Sequence, residues 1–141
     1  MREFYENIVK RFLDNSKIKI FNFGISHKTE ERNVSISADG TSVYFTGGII
    51  EKIKLIALDD FLRIYKINRV DLIKINIEGG EYSLLAHMIN TGIVEIFDNI
   101  QVQYHKVFDE GRIMRNSITK GLKETHKRQW CFPYKWESWK R

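Results

Sequence analysis

Phe4, Tyr5, Ile8, Val9, Phe12 and Leu13 recur at helical spacing, and Asp14-Asn15-Ser16 then breaks the run, so the pattern predicts a helix over residues 3–14. From 18 to 25 the apolar positions fall on both faces of an extended chain, Ile18 and Ile20 against Phe21, Phe23 and Ile25, which predicts a strand covered by helices on either side. Short runs at Val34-Ser35-Ile36, Val43-Tyr44-Phe45 and Ile53-Lys54-Leu55, divided by Asp39-Gly40 and Gly47-Gly48, predict a β-rich insert at about 31–56 built of edge strands or a hairpin. Leu58, Phe61, Leu62 and Tyr65 share one helix face, with Asp59 and Asp60 in the first turn, where the helix dipole favours negative charge.

Further along, 70–77 reads as a strand, 82–90 as a helix ended by Gly92, and 99–105 as a strand again. Strands alternating with helices at this spacing imply parallel βαβ units and an α/β sheet. After a helix over 111–126, Trp130, Phe132, Tyr134 and Trp136 alternate with Gln129, Cys131, Pro133 and Lys135. That period of two predicts a strand with one aromatic face, Phe132 and Trp136 covering the sheet, at an edge because Pro133 cannot donate to a ladder.

Composition changes this picture little. A chain of 141 residues with 43% hydrophobic and 29% charged residues suits one domain with one core. The net charge of +5 is spread over scattered lysines and arginines, which reads as solvated surface and makes nucleic acid an unfavoured partner. Cys131 is the single cysteine, so no internal disulfide can form. The sequence has no apolar run long enough to insert in a membrane and its first residues do not resemble a secretory signal, which makes the cytoplasm the expected location.

The chemistry concentrates in Asp71-Leu-Ile-Lys-Ile-Asn-Ile-Glu-Gly-Gly-Glu-Tyr82. A central parallel strand should be apolar on both faces, yet Lys74, Asn76 and Glu78 alternate with Ile73, Ile75 and Ile77 towards its C-terminal end. Each polar group buried without a partner costs about 1–3 kcal/mol. Two readings satisfy them: a ligand in the crevice beyond the strand ends, or an internal Lys74–Glu78 ion pair that caps the next helix. Gly79 and Gly80 permit a sharp strand-to-helix turn, and Glu81 falls in the first helical turn.

Lys74, Ile75, Ile77, Glu78, Gly79 and Glu81 resemble the signature of the FkbM methyltransferases, in which a strand reads Lys-Ile-Asp-Ile-Glu-Gly, one variable residue and then Glu. The Leu58–Leu62 helix start, a strand ending in His105 and the closing Trp136-Glu137-Ser138-Trp139 are similar as well, so the resemblance spans nearly the whole chain. It implies an α/β fold, an incomplete Rossmann-like class I methyltransferase sheet, mostly parallel with an antiparallel C-terminal edge strand. The whole of 1–141 would form a single partial domain. The implied activity is S-adenosylmethionine-dependent O-methylation of a hydroxyl on a sugar or small metabolite. The catalytic candidates are Asn76, Glu78, Glu81 and His105; Gly24, Ile25, Ser26 and Asn76 are the cofactor-binding candidates, Gly24 to Ser26 lying where the family would contact the adenine.

Two departures bear on this. Asn76 replaces the family's usual Asp and cannot act as a base at neutral pH, which moves proton acceptance to Glu78, Glu81 or His105. No glycine begins a βαβ unit with a Gly-x-Gly turn, and the chain is expected to begin just after the family's second strand, to be inactive alone, and to need a missing N-terminal segment or an oligomer partner to cover its open edges. His27, His87 and His126 have no metal-ligand spacing with Cys131. The alternative function is a non-catalytic module that binds glycan or nucleic acid through basic residues and the Trp130–Trp136 stripe.

Overall fold

The computed structural model describes residues 2–37, 40–42, 49–107 and 109–141. Its elements run α1 (Arg2–Arg11), β1 (Gly24–Ser26), β2 (Glu30–Ser37), β3 (Gly40–Ser42), β4 (Ile49–Ala57), α2 (Leu58–Ile64), β5 (Ile73–Ile75), α3 (Glu81–Asn90), a 3-10 turn (Ile93–Ile96), β6 (Asn99–Val102), α4 (Gly111–Leu122), β7 (Lys127–Phe132) and β8 (Trp136–Lys140). The expected alternation of strands and helices is present. No described helix is long and apolar enough to cross a membrane.

The sheet arrangement differs from the expected one. Instead of one mostly parallel sheet, the described strands form two mixed sheets, ordered β1-β4-β2-β3 and β5-β6-β8-β7. Only the β1–β4 and β5–β6 pairs are parallel. The insert accounts for the antiparallel pairing of the first sheet, since β4 runs back along β2 from Ile49 to Leu55 and then pairs in parallel with β1. Val43, Tyr44 and Phe45, expected to be a further strand, lie outside the described residues.

The strand expected over 18–25 shrinks to Gly24–Ser26. Phe21 and Phe23 do not alternate across a sheet; they join Phe61 and Tyr65 of the α2 region in an aromatic cluster, with Phe21 5.0 Å from Tyr65 and 5.4 Å from Phe61 between ring centroids. Rings at these separations attract edge to face, and a local cluster can satisfy apolar residues on both sides of the chain without a ladder.

The C-terminal stripe is also not one strand. Chain direction reverses at Pro133-Tyr134-Lys135, where Lys135 donates its backbone N–H to Phe132 O, and β7 and β8 pair antiparallel across that turn. Pro133 thus falls where no ladder hydrogen bond is needed, and β7 is the sheet edge while β8 lies inside it. Phe132 is 61% exposed, so it does not cover the sheet; that part is taken by Trp139, which is fully buried. The aromatics are divided between two strands and a turn, Phe132 opposite Trp136 across the hairpin and Trp130 5.9 Å from Phe132 between ring centroids.

The core lies where the second sheet meets α2, α3 and α4, around Tyr82, Leu85, Met88, Ile100, Leu122 and Trp139. Burial of these side chains stabilises the fold by roughly 1.5–3 kcal/mol each. His126 belongs to this core as well: its Nε2 is 2.8 Å from Phe97 O and its Nδ1 2.8 Å from Thr125 Oγ1.

Candidate active site

β5 and β6 run parallel in register, Ile73 opposite Ile100 and Ile75 opposite Val102, so their C-terminal ends open on the same side. Beyond β5 the chain cannot remain extended, because Glu78 has φ +49° and Gly79 φ +106°. The left-handed turn is why the strand expected to reach residue 77 stops at Ile75. Gly79 alone of the two glycines uses a positive φ; a Cβ on Gly80 would sit 3.2 Å from Ile77 Cδ1, a tight contact.

The turn is held by the first residue of the next helix. Glu81 is fully buried, and its Oε2 accepts the Gly79 backbone N–H at 2.8 Å. Its Oε1 accepts the backbone N–H of His105 at 2.7 Å and lies 3.1 Å from His105 Nδ1. On the other side of the imidazole, Nε2 is 3.3 Å from Glu78 Oε1. One ring therefore bridges two carboxylates, and a proton on Nδ1 donated to Glu81 leaves Nε2 as the nitrogen that faces Glu78.

Tyr82 completes the clamp by donating its hydroxyl to His105 O at 2.8 Å. Burial, and then the negative charge of Glu81, push the Tyr82 phenol up to about 12, which keeps it a donor. Asn76 is exposed at the end of β5. Lys74 Nζ rests 4.7 Å from the centre of the Trp136 ring, and Glu78 faces His105.

Residues 12–126 match the methyltransferase FkbM domain. The chain belongs to this family. No curated protein and no solved structure matches it.

In this FkbM domain the structure brings Glu78, Glu81 and His105 together, with Asn76 on the adjoining strand end. Gly24, Ile25 and Ser26 stand in the other sheet, paired in register with Leu55, Ile56 and Ala57 of β4. A Cβ on Gly24 would come within 2.6 Å of Leu55 Cδ2, the end of a flexible side chain, and Ser26 Oγ is 3.3 Å from His27 Nδ1. Gly24 also lines a cleft of about 510 Å3 with Phe4, Tyr5, Phe21 and Phe23. Asn76 is exposed just beyond the end of β5, and its carboxamide offers both a donor and an acceptor.

Sequence reasoning passed over a second polar centre of the FkbM domain. Arg115 of α4 directs both Nε and Nη2 to Oε1 of Glu137, which is 1% exposed, and its Nη2 is 3.2 Å from Cys131 Sγ. Burial opposes the Arg115 charge, but the Glu137 contact outweighs it and raises the guanidinium further. The pair stands beside Tyr104, whose ring centre is 5.6 Å from the guanidinium carbon and whose hydroxyl has no hydrogen-bond partner among the described residues. Arg115 and Glu137 are 22 positions apart on a helix and a strand, and no local pattern announces such a pairing.

Proposed function

We propose that the crevice at the ends of β5 and β6 is the acceptor side of an S-adenosylmethionine-dependent O-methyltransferase that modifies a hydroxyl of a sugar or another small metabolite. The observation that carries this reading is the His105 imidazole clamped between Glu78 and Glu81, at the C-terminal ends of adjacent parallel strands, where open α/β sheets receive ligands.

When bound, S-adenosylmethionine would supply an electrophilic methyl group on its sulfonium sulfur. The chain's own contribution is to orient the acceptor and to take its proton, with most of the acceleration arising from in-line approach of the reacting oxygen. The acceptor's hydroxyl proton would pass to the Glu78–His105 pair, whose Oε1 and Nε2 are 3.3 Å apart and can hold it between them. Glu81 does not meet the acceptor. Wholly buried and committed to two backbone N–H groups, it is a positioning residue that sets the ring's orientation through Nδ1. Asn76, neutral and exposed, suits a hydrogen bond to cofactor or acceptor and leaves proton transfer to its neighbours.

The test is an NMR titration of the full chain with S-adenosylhomocysteine. Shifts centred on the amides of Asn76, Glu78 and His105 are expected. An unperturbed crevice at millimolar ligand, or shifts confined to other surfaces, would overturn the reading.

A further inference from the structure

Directly after His105 the chain enters a second cleft, of about 340 Å3, lined by Lys106, Val107, Asp109, Gly111, Arg112 and Tyr134. Fully buried Tyr82 packs between this cleft and the candidate active site: its hydroxyl donates to His105 O and would lie 3.2 Å from a Cβ on Gly111. Cleft volumes of this order hold a small ligand.

Two cations line this cleft, Lys106 and Arg112. Arg115, beneath the Tyr134 ring at 5.5 Å, is committed to Glu137, and Arg63, Arg69 and Arg141 each have a carboxylate partner. Lys106 and Arg112 have none within ion-pair distance among the described residues. Lys106 Nζ instead lies over the Tyr134 ring, 4.7 Å from its centre. Tyr134 has φ +56°, a left-handed conformation that costs a non-glycine residue about 1–3 kcal/mol. Asp109 on the rim subtracts one charge from the two cations and leaves the cleft net positive.

We propose that this cleft is a subsite for an anionic substituent, a carboxylate or a phosphate ester, on the acceptor molecule. Lys106 and Arg112 hold the anion, Tyr134 keeps the Lys106 ammonium directed into the cleft, and the acceptor hydroxyl extends back to His105. The inference rests on the reading of the His105 crevice as the acceptor side. It narrows the acceptor class from any hydroxylated metabolite to an acidic one, such as a uronate or a sugar phosphate.

The experiment is an NMR titration of the full chain with D-glucuronate, D-glucose 6-phosphate and neutral D-glucose. Both or either anion should shift the Lys106, Arg112 and Tyr134 amides, the responding anion identifying the group bound, while glucose binds about tenfold more weakly, as expected for one lost charge-assisted contact. Lys106→Gln and Arg112→Gln should each weaken anion binding by a similar factor, whereas Lys120→Gln, on the exposed side of α4, should leave it unchanged. All three positions are at the surface, and circular dichroism verifies that the fold is kept. Equal affinity for glucose, shifts elsewhere, or an equal loss in Lys120→Gln would overturn the proposal. The readout needs no cofactor, so anion binding at these residues without S-adenosylhomocysteine shifts at Asn76 and His105 would count against the methyl-transfer reading alone. Cofactor shifts without an anion preference would count against the subsite alone.

Discussion

The Glu81 carboxylate accepts the backbone N–H of His105 at 2.7 Å across 24 positions of sequence. A fully buried side chain at the start of α3 thereby fixes the point where the chain leaves β6, and with it the imidazole of the candidate site. This is a different task from the one its place in the first helical turn suggests, since a dipole contact would be met as well by an exposed acid.

Glu81→Ala should therefore cost far more than loss of a surface charge. It leaves the Gly79 and His105 N–H groups without their acceptor, at about 1–3 kcal/mol each. Glu81→Gln retains one acceptor oxygen and should cost less. Urea unfolding of both variants checks the ranking; an alanine variant as stable as the parent would show that the clamp carries no stability.

The Arg115–Glu137 pair should behave as a buried ion pair. Arg115→Met or Glu137→Leu alone strands a buried charge and should destabilise by about 3–5 kcal/mol, while the double variant should recover most of the loss. A double-mutant cycle measured by denaturation decides it. Additive losses would mean that the two residues act independently.

Tyr104 offers a stabilising substitution. Its hydroxyl is buried without a partner among the described residues, so Tyr104→Phe should raise Tm by a few degrees, on the scale of about 1 kcal/mol. A fall in Tm would indicate that the hydroxyl has a partner, such as a buried water shared with Glu137 Oε2.

Two phenols also tie stability to alkaline pH. Burial and nearby Glu81 raise Tyr82 to about 12, and burial with Glu137 holds Tyr104 well above the ordinary tyrosine value of about 10. A group whose folded pKa is raised keeps its proton more tightly when folded, so its contribution is fully present below pH 10 and is lost as pH climbs towards the folded value. Absorbance at 295 nm should show two of the six tyrosines ionising only as the protein unfolds. Complete ionisation of all six by pH 10.5 with the fold intact would contradict this.

Gly121→Ala tests packing against propensity. In an isolated helix alanine is favoured over glycine by about 1 kcal/mol, but a Cβ here would stand 2.7 Å from Ile89 Cγ2. Overpacking costs about 1–3 kcal/mol, so the variant should melt lower than the parent. A higher Tm would show that α3 and α4 separate easily.

What the sequence made legible is the strand–turn–helix from Lys74 to Asn90, the α2 start and β6, where apolar periodicity and punctuating residues agree. The cluster of Glu78, Glu81 and His105 followed from the same reading, although the division of labour within it did not. Burial of Glu81 depends on where His105 arrives, and that is a tertiary fact. The aromatic stripe misled for a related reason: a period of two continues through a tight turn, so Trp130 to Trp136 looks like one strand while Pro133 and Tyr134 reverse it. Phe21 and Phe23 were ambiguous because an aromatic cluster and a doubly covered strand demand the same residues.

Two bare backbone positions mark opposite ends of the α3–α4 contact, Gly111 against the Tyr82 hydroxyl and Gly121 against Ile89. A side chain at either position would push the two helices apart, so their close approach depends on both glycines. The carbonyl of His105 is tied by the Tyr82 hydroxyl to the end of that contact marked by Gly111, which makes the spacing of two helices part of what positions the imidazole.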